Sequence, residues 1–247
     1  MAVGTGAALV LVAAAAVAIV LTVPTNSSPL PQHRSEGSAH VRRTSAPAST
    51  STTQASTTTT SSTTTTTTTD PGSLPQTDQL PGADTPQFTA EIQALWQGVV
   101  SGSVTPALPS FFPRAAYVQL KTGIADPAGD WQNRLVEDFG LDLQAAHALL
   151  GSDPIAASFQ GVSVPEQYAH WIPPGVCSNG IGYYEVANAR VVYSIDGQTR
   201  SFGIASLISW RGTWYVVHLG AILRAAAAGT VDDPEQGPGT SAPSRTC

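Results

Sequence analysis

The sequence has few charged side chains and almost no lysine. Charged residues make up 11% of the chain, against roughly one quarter in typical soluble domains. Lys121 is the single lysine, beside ten arginines, and we attribute this imbalance to coding bias rather than to binding. Acidic residues outnumber basic ones by 17 to 11, so the composition gives no electrostatic support for a nucleic-acid partner.

Cysteine is also scarce. Cys177 and Cys247 are too few for a disulfide-rich scaffold, and their spacing matches no zinc-binding pattern. The histidines are dispersed and have no acidic residue at ligand spacing, so we predict no metal and no cofactor. We predict a disulfide between Cys177 and Cys247, which would stabilise the fold by up to ~4 kcal/mol through chain entropy. The alternative is that the thiols are free or pair between molecules.

The N-terminal residues 2–23 carry no charge. A run of about 20 apolar residues is long enough to span a bilayer, and it exceeds a signal-peptide core of about 7–15 residues. We therefore predict a membrane anchor at 1–23, with the C-terminal domain outside the cell membrane; the alternative is a cleaved signal peptide and a secreted protein. Basic residues follow this run and argue for the opposite orientation. The Thr/Ser-rich stretch and the cysteine pair nevertheless favour the exterior.

A long polar segment separates this leader from the rest of the chain. Residues 24–83 are rich in Thr, Ser and Pro and include the run STTTTTTT. Because such a segment has few apolar side chains to offset the entropy of ordering, we predict a disordered linker there. We place the folded domain at 84–229 and a flexible tail ending in a cysteine at 230–247.

The first half of the domain has helical periodicity. Thr85 and Pro86 predict the start of a helix, and apolar residues then recur on one face up to Gly102. A short helix that buries Leu108, Phe111 and Phe112 is predicted next, followed by a strand at 116–120. Two further helices follow, with the stops Gly140 and Gly151.

The second half of the domain changes to a period of two. We predict strands at 157–164, 183–186, 190–195, 201–210 and 214–219. Asp196-Gly197 predicts a two-residue hairpin turn. Helices first and an antiparallel meander last indicate an α+β fold, with the N-terminal helices packed on a curved sheet.

Two segments carry a resemblance to a known scaffold. EIQALWQGVVSGSVTPALPSFFP and the closing ISWRGTWYVVHLG resemble the nuclear-transport-factor-like family, a cone-shaped α+β fold. The closing run, with the VCSNG loop and the terminal cysteine, also resembles a group of membrane-anchored or secreted actinobacterial envelope proteins. The scaffold family includes isomerases, dehydratases, binding modules and dimerisation domains, so the resemblance implies a fold and a cavity but no particular reaction.

The position of His218 depends on the register of the last hairpin. A three-residue loop from Arg211 to Thr213 brings Ser206 opposite His218, whereas a two-residue loop moves His218 to the other face, opposite Ala205. Gly212 fits either turn, so the sequence leaves both registers open.

In the first register, Ser206 and His218 would share a wall of the cone, and Glu185 is the nearest acid on the sheet. These three are our weak catalytic candidates. A half-buried histidine that bonds to Ser206 or to a backbone carbonyl is the interpretation we prefer.

Aromatic residues in a proline-rich loop are our candidates for ligand binding. Tyr168, His170 and Trp171 precede Ile172 and two prolines, and they are suited to stacking on a ligand at a pocket mouth. The alternative is that this loop packs against the edge of the sheet.

Taken together, these features predict an extracytoplasmic, membrane-tethered domain without catalysis. It would bind a small ligand, a glycan or a cell-wall or envelope partner, and no nucleic acid. One alternative is a small-substrate enzyme that uses His218 as a base in the cone. Another is a spacer or homodimer formed through an exposed sheet face at Tyr215, Val217 and Leu219.

Overall fold

The structure is a computed structural model that describes residues 69–220, 225 and 227–243. The predicted anchor at 1–23, most of the predicted linker and Cys247 lie outside the described residues. Among the residues that are described, no helix combines the length and the apolar character needed to cross a bilayer.

Helix α1 spans Pro86–Ser101 and follows the sequence prediction closely. The Thr85 hydroxyl oxygen caps it by accepting from the Phe88 N–H at 3.2 Å. The helix ends at Gly102, whose φ of 61° is the left-handed conformation that glycine adopts without strain. Its buried apolar residues are Phe88, Ile92, Leu95, Trp96 and Val99. The predicted start, end and buried face are therefore confirmed.

Two short helices follow α1. Helix α2 spans Val104–Ala107, and the Leu108 side chain after it is 39% exposed rather than buried as predicted. Helix α3 spans Arg114–Leu120, so the predicted strand at 116–120 is wrong. The buried side chains of α3 are Ala116, Tyr117 and Leu120. This spacing fits one face of a helix, and a run of five residues is too short to distinguish the two periods.

Residues 127–148 form one helical run where the sequence predicted two helices. Its parts are α4 (Pro127–Asp130), a π-helical turn (Trp131–Leu135) and α5 (Val136–Ala148). Gly140 lies inside α5, so the predicted stop there is wrong. Phe139 and Leu143 beside it are buried in the core. Their packing outweighs the roughly 1 kcal/mol that glycine costs in a helix interior.

The strands form two four-stranded antiparallel sheets, which confirms the α+β class but replaces one predicted sheet with two. The first sheet has the order β1 (Ser158–Ser163), β4 (Ala189–Ile195), β5 (Gln198–Ile204), β8 (Asp232–Gln236). The second has the order β2 (His170–Ile172), β3 (Tyr183–Val186), β6 (Ser206–Trp210), β7 (Thr213–His218).

The predicted long strand at 201–210 is divided at Ala205. Its first part belongs to β5 in one sheet and its second part to β6 in the other. The turn before β5 is as predicted, because Ile195 pairs with Gln198 and leaves Asp196-Gly197 as a two-residue loop. Both loop residues have positive φ, 52° and 73°, as the tight hairpin turn requires.

Ordered backbone extends beyond both predicted domain boundaries. On the N-terminal side, the Pro71 carbonyl accepts from Trp210 Nε1 at 3.0 Å, and Gln76 Nε2 donates to the Ser209 carbonyl at 2.9 Å. Both residues fall in the segment predicted as linker. The residues that make these polar contacts follow no hydrophobic periodicity, so the sequence pattern does not reveal that the segment is ordered.

The segment predicted as a flexible tail contains strand β8, which pairs with β5. The Arg190 side chain is buried and holds this segment through a hydrogen bond to the Asp233 carbonyl at 2.8 Å and an ion pair with Glu235 at 3.3 Å. It also donates to Ser201 Oγ of β5 at 2.9 Å. The boundary at 230 therefore falls before the last strand of the domain.

Helix α1 carries a buried acid, Glu91, which is only 7% exposed. Its Oε1 accepts a hydrogen bond from Gln87 Nε2 at 3.0 Å. Burial raises the pKa of the Glu91 carboxyl from 4.5 to about 8, and hydrogen bonds with Gln87 and Tyr215 oppose this shift in part. The carboxyl is therefore protonated in the folded protein at neutral pH.

This buried carboxyl makes stability depend on pH. Because the folded state holds the Glu91 proton more tightly than the unfolded state, the free energy of unfolding falls as pH rises between about 4.5 and about 8. We expect Glu91→Gln to remove this fall and to be more stable than the wild type at the alkaline end by roughly 2–4 kcal/mol. Urea unfolding at a series of pH values measures the difference.

The matched control is Glu137→Gln, which changes an exposed acid on α5. It should leave the pH dependence of the free energy of unfolding unaltered. Equal pH dependence in Glu91→Gln and the wild type would contradict the prediction.

Candidate functional site

The last hairpin combines the loop length of one predicted register with the pairing of the other. Trp210 pairs with Thr213, so the loop is the two-residue Arg211-Gly212 turn. A β-bulge then shifts the register by one residue. As a result, His218 pairs with Ser206 and not with Ala205. The extra residue in β7 is Val217, since Leu207 pairs with Val216. The bulge thus returns His218 to the position opposite Ser206.

Ser206 and His218 both line a pocket of about 340 Å³. It lies where β3, β6 and β7 meet α3 and the loop before β3. Its apolar wall includes Phe112, Leu120, Ile208 and Val217. Its polar side chains include Lys121, Tyr183, Glu185, Ser206 and His218. The three weak catalytic candidates are therefore brought together in one pocket, at the lower end of the volume range of ligand sites.

Glu185 occupies the centre of this polar group. Its Oε1 accepts a hydrogen bond from Ser206 Oγ at 3.1 Å. Its Oε2 is buried and has no hydrogen-bond partner among the described residues. Ser206 thus orients the carboxylate through Oε1.

The contact between Ser206 and Glu185 bears on the catalytic alternative. A serine nucleophile donates its proton to a histidine base. The Ser206 hydroxyl donates to Glu185 instead, so in this geometry it orients an acid.

His170 approaches the same carboxylate from the neighbouring strand. It pairs with Glu185 across β2 and β3, and its Nε2 lies 4.0 Å from Glu185 Oε2. Its Nδ1 lies 3.1 Å from the Tyr168 carbonyl, which only accepts, so Nδ1 carries the hydrogen. In the neutral ring the Nε2 lone pair therefore lies on the Glu185 side.

The predicted ligand-binding trio lies beside this pocket. Tyr168, His170 and Trp171 are not among the pocket's lining residues. Trp171 is 38% exposed, and its ring meets that of Tyr184 edge-on, with centroids 5.0 Å apart. The trio thus packs along β2 and β3, and only His170 approaches the pocket, through Glu185.

Lys121 supplies a cationic group to the pocket. Its Nζ donates to the Cys177 carbonyl at 3.4 Å and lies 5.9 Å from the centre of the Tyr117 ring. Burial lowers the pKa of the Lys121 ammonium, and the charge of Arg134 lowers it further. The charges of Asp130 and Glu185 act in the opposite direction.

Tyr183 supplies a neutral phenol. Burial, together with the charge of Glu185, raises the pKa of Tyr183 to about 12. Its oxygen accepts from Asn179 Nδ2 at 3.1 Å. The phenol therefore keeps its proton at neutral pH and can donate to a ligand.

The structure describes one of the two cysteines, Cys177, and not the other. Cys177 lines the pocket and its thiol is not free. Cys247 lies outside the described residues, so the bond between them stays a prediction. In the part of the chain that the structure covers, no group of three or more His, Cys, Asp or Glu side chains is arranged to hold a metal ion.

The sheet face suggested for a dimer is occupied within the chain itself. Tyr215 and Leu219 are 3% and 0% exposed, and Val217 is half-buried at the pocket. These three residues therefore do not form an exposed apolar face, and the prediction of that face is wrong. The reason is that α1 and the Phe111-Phe112 segment pack against β7.

Comparison with known proteins identifies no relative: no family model, curated protein or solved structure matches the chain. The function of the pocket must therefore be argued from the chemistry of its own residues.

Lys121 and Glu91 are not among the site residues that the sequence predicts. Lys121 is the only lysine in the chain and directly follows the buried Leu120. Its position next to an apolar residue was the one signal in the sequence that the lysine is partly buried. Glu91 falls on the same helical face as Phe88, Ile92 and Leu95, and an acid on an apolar face is unusual.

Because Lys121 is the single lysine in the sequence, the ionisation of its side chain can be measured without interference from other lysines. We expect the ε-amine of Lys121 to react with acetic anhydride with an apparent pKa below 10.5, because burial disfavours its charged form. Glu185→Gln should lower this pKa further, since it removes a charge that raises it. Peptide mass spectrometry across a pH series reports the modified fraction.

The control is Asp196→Asn in the hairpin turn of the other sheet, which should leave the Lys121 profile unchanged. An apparent pKa at or above 10.5 in the wild type would refute the prediction.

Proposed function

We propose that this chain is an extracytoplasmic, membrane-tethered protein whose folded domain binds a small molecule in the pocket at Lys121 and Glu185 without transforming it. The observation that carries the proposal is Glu185 itself. One of its oxygens is fixed by Ser206 at 3.1 Å, and the other is buried, makes no hydrogen bond among the described residues and lies 4.0 Å from His170 Nε2. A ligand that donates a hydrogen bond to Oε2 would satisfy this acceptor.

The remaining walls favour a class of ligand. The Lys121 ammonium suits an anionic group, and Glu185 suits a hydroxyl or amine donor. Phe112, Ile208 and Val217 suit a short carbon body. A small hydroxy or amino carboxylic acid has these three parts, and a pocket of about 340 Å³ has room for one.

The location outside the cytoplasm rests on the sequence. The uncharged run at 2–23 has the length of a membrane anchor, and the Thr/Ser-rich segment after it has the composition of a disordered tether. The proposed cone-shaped scaffold is supported by an α+β fold that contains a pocket, since a fold of this class and a cavity are what that resemblance implies.

The ligand class is tested by calorimetry with the full chain in detergent. We expect lactate or serine to bind and lactamide, which has lactate's size but no carboxylate, to bind about tenfold more weakly. Lys121→Met should remove the preference for the carboxylate, and Glu185→Gln should weaken both acids about tenfold. Binding that neither substitution alters would place these ligands elsewhere and reject the proposal.

A second candidate function is proton transfer on such a ligand with His218 as base. It is favoured by the pairing of His218 with Ser206 at the pocket wall. Incubation with pyruvate in heavy water distinguishes the two functions. Deuterium entering the methyl group, and ceasing to enter in His218→Gln, supports catalysis, while binding without exchange supports the non-catalytic function.

The proposed disulfide is tested by peptide mapping of oxidised and reduced protein from the native envelope. We expect a Cys177–Cys247 cross-linked peptide before reduction. Cys177→Ser and Cys247→Ser should each lower the free energy of unfolding by up to ~4 kcal/mol, and by the same amount, because each removes the same bond. Two free thiols in the native protein, or clearly unequal losses, would refute the bond.

A further inference from the structure

A second cleft lies between α1, β7 and the start of the π-helical turn. Its volume is about 330 Å³, and its lining includes Asp70, Gln87, Glu91, Phe111, Trp131 and Tyr215. It shares no lining residue with the pocket at Glu185. The function proposed above makes no use of it.

Glu91 is an acid built into the wall of this cleft. Its side chain is more than nine-tenths buried, and Oε1 is occupied by Gln87 Nε2. Oε2 is buried and makes no hydrogen bond within the described residues. Because Oε1 accepts from Gln87, the proton of the neutral carboxyl belongs to Oε2, and Oε2 becomes an acceptor when Glu91 ionises.

The remaining walls are largely aromatic. The rings of Phe111 and Trp131 both line the cleft, with centroids 5.8 Å apart and an interplanar angle of 55°. Phe111 is only 2% exposed and also stacks on Phe139, so Trp131 presents the larger aromatic surface. Trp131 Nε1 already donates to the Phe112 carbonyl at 2.8 Å. The indole is therefore available for contact through its ring, and aromatic ring faces attract organic cations.

The cleft is lined by acidic and basic groups. Asp70 and Glu91 are its acidic lining residues, and Arg114 is its basic one. Asp70 and Arg114 are both exposed, so solvent screens their charges, while Glu91 is enclosed. The Tyr215 phenol also faces Glu91, and its oxygen accepts from Gln87 Nε2 at 3.2 Å.

From this geometry we propose that the cleft binds a small alkylammonium group, whose charged nitrogen donates to Glu91 Oε2 while its carbon atoms contact Phe111 and Trp131. The site is distinct from the pocket at Glu185 and takes a ligand of opposite charge. The ammonium group can belong to a free amine or to a lysine side chain of a partner, since the two present the same chemistry.

Proton release accompanies binding at this site. The free protein holds Glu91 protonated at neutral pH because burial raises the pKa of its carboxyl to about 8. An ammonium ion pairs with the ionised form, so binding expels the proton. Affinity therefore rises about tenfold per pH unit up to about 8 and then levels off.

Calorimetry on the full chain in detergent tests this proposal with n-butylammonium as the probe and n-butanol as its uncharged counterpart. At about pH 9 we expect butylammonium to bind at least tenfold more tightly than butanol, and at about pH 6 we expect this preference to be lost. Measurements near pH 7 in two buffers of different ionisation enthalpy should show release of close to one proton. Acetyl-lysine amide, with a free side-chain amine, distinguishes a lysine of a partner from a free amine.

The decisive variant is Glu91→Gln, which keeps the size and the neutral charge of the protonated acid. It should abolish both the preference for butylammonium and the proton release. Glu137→Gln, which changes an exposed acid on α5 outside both pockets, should preserve both. The proposal is overturned if butanol binds as well as butylammonium at about pH 9, if no saturable binding occurs there, or if Glu91→Gln folds and still binds with proton release.

Discussion

The two sheets depend on one short connection, Ala205, where the chain passes from β5 into β6 without a turn. The Ala205 N–H still reaches the Leu219 carbonyl at 3.3 Å, so the end of β7 stays beside the connection. Because β6 begins at the next residue, Ser206 stands at the junction, and the bulge in β7 brings His218 opposite it. The bend and the bulge together assemble the pocket at Glu185.

Local chemistry explains what the sequence predicts well. The Thr85 cap, the Gly102 stop and the Asp196-Gly197 turn each depend on a few adjacent residues, and all three are confirmed. The division at Ala205 and the bulge depend on how distant strands meet, and no local signal marks them. For the same reason the pairing of Ser206 with His218 could be proposed from the sequence only as one of two registers.

The errors in the helical half have a related cause. A glycine such as Gly140 often ends a helix, yet α5 continues through it because the flanking residues pack into the core. The segment 116–120 is too short for its period to decide between strand and helix. Lys121 lies at the C-terminal end of that segment, so the wrong assignment also concealed its position at the pocket.

The two cavities follow one physical pattern. In each, a carboxyl group has one oxygen held by a neighbouring side chain, Ser206 for Glu185 and Gln87 for Glu91, and a second oxygen left without a partner. They differ in charge surroundings, because Lys121 stands beside Glu185 while aromatic rings stand beside Glu91. The two carboxyl groups therefore differ in their chemical surroundings although they are held in the same way.

Strand β8 has a further consequence for the behaviour of the protein in solution. It occupies the outer side of β5, where it is held by Arg190, and it carries acidic residues and a proline. Such a strand is a poor template for pairing with another chain. Proteolytic trimming of the C-terminal segment would uncover the backbone of β5 and give neighbouring molecules an edge on which to aggregate.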